Sequence, residues 1–129
     1  VKAIISNRLH VMSRYTRQVV SRVYREERLK SSEAGKRILR NGKRLITRSE
    51  AIMDEVSQQK LETLLQHNAS MQVIYEFSQR LQALWNEKTA SHEKILQSLR
   101  QWCEDAEATG IEALEDFAQT LRSYSLQAA

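Results

Sequence analysis

A chain of 129 residues with no proline, three glycines and eight aromatic residues, two Trp, four Tyr and two Phe, makes one domain and counts against a sheet protein, which needs regular turns and β-branched or aromatic runs. No apolar run approaches the roughly 20 residues of a bilayer-spanning helix and no signal peptide opens the chain, so a piece that is soluble, or at most peripheral, is expected. The net charge of +4 divides unevenly: residues 1–48 carry 14 Lys+Arg against 3 Asp+Glu, a net of +11, and residues 49–129 carry 6 against 13, a net of −7.

The first helix is expected from Lys2 to Leu29. At about 100° per residue, Ile5, Leu9, Met12, Thr16, Val19, Val20 and Val23 fall on one face, and Arg14, Arg17, Arg22, Arg25 and Arg28 on the other. The apolar face should pack, and the arginine face should meet water or anions. Ser31 or Ser32 can cap a second helix, with Glu33 in its first turn at the favourable end of the dipole. This helix has Ile38, Leu39, Leu45 and Ile46 on one side and Lys36, Arg37, Arg40, Lys43 and Arg44 on the other. Gly42 within it costs up to about 1 kcal/mol relative to alanine, which marks a place for a break.

Between Thr47 and Val56 the periodicity weakens, and a connection is expected there. Ser57 is the expected cap of a short helix through Leu61, Leu64 and Leu65 that ends near Asn68. Ser70 is the expected cap of the next, whose stripe is Ile74, Phe77, Leu81, Leu84 and Trp85 and which closes near Lys88 before a cap at Thr89.

The stretch from Thr89 to Leu126 organises the rest. Ile95, Leu96, Leu99, Trp102, Cys103 and Ala106 recur at three- and four-residue steps, as do Ile111, Leu114, Phe117, Ala118, Leu121 and Tyr124. Gly110 between them suits a helix end at positive φ, with Ile111 folding back as in a Schellman cap. So short a joint favours antiparallel neighbours, with Trp102 and Phe117 in one core. The expected fold is therefore all-α: one helical domain, 1–129, with a basic half, 1–48, and an acidic half, 49–129, built as a bundle of five or six helices whose last two form an antiparallel hairpin around Gly110. The start at Val1 suggests a longer protein.

No catalytic, cofactor or metal site is expected within this chain. His10, His67 and His92 stand alone, and His92-Glu93 lacks the second histidine of a zinc-protease motif. Glu104, Asp105, Glu107, Glu112, Glu115 and Asp116 lack the Glu-x-x-His spacing of helical di-iron sites and read as a solvated face. Cys103, on an apolar stripe, reads as a small core residue in a reducing compartment; Trp85 and Trp102 read first as core. Asn68-Ala69-Ser70 fits the glycosylation pattern, which carries meaning only with secretion. The basic half either lies against the acidic half or serves a polyanion, a lipid surface or nucleic acid, through Arg14, Arg17, Arg22, Arg25 and Arg28.

Two resemblances add to this. Asn7-Arg8-Leu9-His10-Val11-Met12 with Tyr15 and Val19-Val20, Lys43-Arg44-Leu45-Ile46, Val73-Ile74-Tyr75-Glu76 with Leu81-Gln82 and Trp85, then Trp102, Ala106 to Ile111, Leu114, Phe117-Ala118, Leu121 and Tyr124-Ser125-Leu126 together resemble the C-terminal region of bacterial membrane fatty-acid desaturases. That resemblance implies a non-catalytic cytoplasmic tail on the inner face of the membrane. It also implies a di-iron centre in a missing membrane part. The partners it implies are the remainder of the desaturase, an anionic membrane surface, an acyl carrier or an electron-donor protein.

The segment Trp102, Ala106, Thr109-Gly110-Ile111, Leu114, Phe117-Ala118 and Thr120-Leu121-Arg122 also looks like a helical stretch near the end of certain insertion-sequence transposases, which the basic N-terminal half would suit as a DNA-associated segment. Against it, no Asn-Gly follows Tyr124 and the chain stops where a last catalytic acid would lie ahead. The N-terminal matches favour the desaturase.

Overall fold

The computed structural model describes residues 8–48, 53–86 and 91–123. Six helices and no strand make up those residues. Helix α1 (8–30) consists of Arg8–Tyr15, a π-helical turn Thr16–Val20, and Ser21–Lys30; α2 (Glu33–Gly42) tightens into a 3₁₀ turn, Lys43–Leu45; α3 is Glu55–His67, α4 Ala69–Trp85, α5 His92–Glu107 and α6 Glu112–Ser123. The all-α bundle expected from composition and periodicity is what forms.

Three caps lie elsewhere than the periodicity placed them. The Ser57 N–H donates to Asp54, the true cap of α3; the Met71 N–H donates to Asn68, which caps α4 in place of Ser70; and the Lys94 N–H donates to Ser91, which caps α5. Thr89, the cap expected for α5, lies outside the described residues, as do Ile5 and Tyr124 of the apolar stripes. Ser32 does cap α2, accepting from the Gly35 N–H at 3.1 Å. Asn68 also donates to Glu27 at 3.0 Å, which ties the start of α4 to α1. A side chain so buried and so committed is no glycosylation acceptor.

The π turn reorganises α1. Residues four apart drift by about 40° along a straight α-helix, whereas a π turn takes in one extra residue and cancels roughly 100° of accumulated rotation. Val11, Tyr15, Val19 and Val23 therefore share one face and are all buried, with Val20 beside them. Met12 and Thr16, expected on the same apolar face, lie at its margin and are only half-buried. Leu9 cannot be compared, because its side chain lies outside the described residues.

Four aromatic rings from four helices close the core. Trp102 of α5 meets Phe117 of α6 edge-on, centroids 5.9 Å apart, so the two rings share one core across the Gly110 joint as the sequence suggested. Tyr15 of α1 stands edge-on to both, and Phe77 of α4 packs on Trp102 at 5.4 Å. Edge-to-face geometry sets the positive rim of one ring against the negative face of the next. The polar tips are satisfied: the Tyr15 hydroxyl donates to the Ile74 carbonyl, and Trp102 Nε1 donates to the Phe77 carbonyl at 2.9 Å.

At the joint itself Gly110 has φ +76°, yet it sits one residue beyond the usual glycine position of a helix C-terminus. Thr109 takes the capping role, its hydroxyl donating to the Ala106 carbonyl and accepting from the Ile111 N–H.

Candidate functional site

Helix α1 lies on α4, with α2 along one flank and α6 along the other. On the α2 side, Lys43 Nζ sits 4.6 Å over the Tyr24 ring, and Thr16 and Thr47 line one cleft. On the α6 side, Arg22 donates to Asp116 at 2.7 Å and pairs with Glu112 at 3.2 Å. These contacts, the hydrogen bond to Asp116 first, raise the Arg22 guanidinium above its already high pKa. The arginine face expected from the sequence therefore divides. Arg22 is spent on α6, and Arg14 is half-buried and has an interaction of its own. Arg17, Arg25 and Arg28 are exposed and lie opposite the buried face.

The π turn accounts for this division. Once the rotation it absorbs is included, Arg14 and Arg22 fall about 90° to 100° from the core direction and the other three nearly opposite it. Regular 100° spacing merges the two sets.

The three carboxylates of the basic half are each engaged with a cation: Glu26 with Arg22 at 3.3 Å, Glu27 with Lys30 at 3.4 Å, and Glu33 with Lys36 at 3.5 Å. Arg17, Arg25 and Arg28 make no ion pair among the described residues. Exposed pairs of this kind contribute little to stability, but they determine which charges stay uncompensated.

Two ion pairs lie within the acidic half. Arg80 pairs with Asp105 at 2.6 Å and Arg122 with Glu107 at 2.7 Å. Arg80, helped by Gln101, holds the Asp105 carboxyl below the usual carboxylate range. Arg22 carries ion pairs from α1 to Glu112 and Asp116 of the acidic helices.

The remaining candidates have structural places. His10 and His67 are exposed, and the His92 side chain lies outside the described residues. No group of three or more His, Cys, Asp or Glu among the described residues is placed to hold a metal ion. Cys103 is buried, its thiol donating to the Ala118 carbonyl at 3.7 Å, and burial pushes it up to about 11. Trp102 is core; Trp85 is half-buried and lines the cleft with Met12, Thr16 and Gln82. None of the described helices is long and apolar enough to cross a membrane.

By fold the chain is a helical bundle in which exposed arginines of α1, Arg17, Arg25 and Arg28, make no ion pair among the described residues. Its family is narrower than that class: residues 2–127 match the transposase family of the DDE, ISL3 type, and the chain belongs to it. It is 30% identical over 123 residues to the transposase for insertion sequence element IS1001 of Bordetella parapertussis, an alignment covering 94% of this chain and 30% of that protein. The chain thus spans under a third of the length of the curated relative it matches. No solved structure matches it.

This membership overturns the desaturase resemblance in favour of the transposase one. The remainder of a desaturase, an acyl carrier, an electron-donor protein and an anionic membrane surface lose their ground as partners. So do the assignment to the cytoplasmic face of the inner membrane and the di-iron centre, both of which came from that family alone. The physical reason lies in the residues that carried the likeness. Val11, Tyr15, Val19, Val20, Ile74, Leu81 and Leu121 are all buried, and apolar stripes at helical spacing report packing, which unrelated bundles share.

Proposed function

We propose that this chain is a helical, non-catalytic segment of an insertion-sequence transposase, and that Arg17, Arg25 and Arg28 on the outer face of α1 bind the phosphate backbone of DNA. One observation carries the reading: these three guanidinium groups are exposed and make no ion pair among the described residues of a chain of this family, while every carboxylate of the basic half already has a cation. At 1.5 Å of rise per residue the row is about 16 Å long. Guanidinium groups suit phosphate because their fixed fork of donors matches its oxygens. Contacts of this kind position a protein on DNA without reading sequence.

The test is fluorescence anisotropy with a labelled random-sequence duplex, titrated at several salt concentrations. Each phosphate contact contributes about 0.9 to the slope of log affinity against log salt. The R17Q/R25Q/R28Q variant should bind more weakly, with a slope smaller by nearly three. Equal affinity and slope for parent and variant would sink the proposal, and circular dichroism of the variant guards against unfolding.

A further inference from the structure

We infer that α2 supplies a second arginine row, Arg37, Arg40 and Arg44, and that the α1 and α2 rows together hold both phosphate strands of one DNA duplex. The inference rests on the proposed role of the α1 row and extends it to residues on a different helix.

The three α2 arginines are exposed and make no ion pair among the described residues. They stand opposite the side on which α2 packs: Gly42 approaches Leu64 and Gly35 approaches His67, both on α3. The neighbouring cations of α2 point elsewhere, Lys36 to Glu33 and Lys43 to the Tyr24 ring. Lys43 over Tyr24 is the seam between the two helices. Going outward from it, Arg28, Arg25 and Arg17 follow on α1, and Arg40, Arg44 and Arg37 on α2.

The register supports a ribbon of two rows. The chain reverses at Ser31 and Ser32, and Tyr24 meets Lys43 while Thr16 and Thr47 share a cleft, so α1 and α2 run antiparallel. Arg28 then lies level with Lys36, and Arg25 with Arg40. Packed helices have axes about 8 to 10 Å apart, a spacing of the same order as the grooves that separate the two strands of B-DNA.

The opposite flank of α1 is closed to phosphate. There Glu26, Glu112 and Asp116 surround Arg22, and their carboxylates would repel a second strand. Across the Tyr24–Lys43 seam the α1 row continues onto the cations of α2.

The experiment compares the 129-residue parent, R17Q/R25Q/R28Q, R37Q/R40Q/R44Q and the six-fold variant on the same random duplex between about 50 and 200 mM salt. With six phosphate contacts, the parent should lose about 10³ in affinity over that range, and each triple variant only about 40-fold. The six-fold variant should show almost no salt dependence. The inference is overturned if R37Q/R40Q/R44Q keeps the affinity and salt dependence of the parent. The R17Q/R25Q/R28Q arm then tells the two failures apart: a loss there leaves the α1 proposal standing, and no loss removes both. Matching thermal melts of all four proteins show that the differences arise at the surface.

Discussion

Gly42 of α2 lies so close to Leu64 of α3 that a Cβ built on the glycine would stand 2.5 Å from the Leu64 Cδ2. The two helices meet backbone against side chain there, and the closeness is what a residue without a Cβ permits.

That contact reverses the expectation from propensity. In an exposed helix, replacing Gly42 by alanine gains up to about 1 kcal/mol. Here the added methyl must displace a fully buried leucine, and overpacking of this kind costs about 1 to 3 kcal/mol. Urea denaturation of Gly42→Ala should show a lower midpoint than the parent. A higher midpoint would mean that α2 and α3 are spaced more widely than the Gly42–Leu64 contact implies.

The aromatic cluster sets the largest single losses. Trp102→Ala and Phe117→Ala each remove a ring packed edge-on against two or three others, and each should cost about 3 to 5 kcal/mol of the roughly 5 to 15 available to a domain of this size. Tyr15→Phe keeps the ring but removes its hydrogen bond to the Ile74 carbonyl, which still accepts from its own helix, at about 0.5 to 1.5 kcal/mol. The ranking is the check. If Tyr15→Phe proves as costly as the loss of the Trp102 ring, the hydrogen bond outweighs the packing.

At Gly110 a side chain has room, since no atom lies within 4 Å of the position a Cβ would take, but φ is +76°. Any penalty is therefore a backbone one. Gly110→Val should lose about 1 to 2 kcal/mol, and Gly110→Asn clearly less, because asparagine tolerates left-handed backbone. Equal melting temperatures for the two variants would argue against a left-handed conformation at this joint.

Alkali should weaken the fold through Cys103. Burial raises its pKa from 9.0 to about 11, so the folded state holds the proton more tightly than the unfolded one. The stability this contributes is complete below about pH 9 and is lost as pH rises towards 11. Denaturation midpoints of the parent should fall more steeply across that window than those of Cys103→Ala. Near neutral pH a thiol reagent should react only after denaturant is added.

How much of this was legible in the sequence varies along the chain. Ile95, Leu99, Trp102 and Cys103 on α5, and Leu114, Phe117, Ala118 and Leu121 on α6, are buried as their spacing indicated, because those helices are regular. The caps were harder. Asp54, Asn68 and Ser91 each have a competing Ser or Thr within two or three residues, and only the hydrogen bonds distinguish them. The arginine row was half legible. Its residues could be named, but the separation of Arg14 and Arg22 from Arg17, Arg25 and Arg28 depends on the π turn, which no residue type announces. The contribution of α2 depends on the seam between Tyr24 and Lys43, a tertiary contact between residues 19 positions apart.

The π turn also means that α1 carries one residue more than regular α geometry needs to join its two ends. Gln18, exposed within Thr16–Val20, is in effect spare. Its deletion would turn the π turn into an ordinary one while leaving Val11 and Tyr15 in phase with Val23, and Arg17 in phase with Arg25. The loss of a residue from the middle of α4 has no such slack to absorb it. Everything beyond would rotate by about 100°, carrying Leu81 out of the core. Length changes in this family should therefore be tolerated at the π turn and resisted in the regular helices.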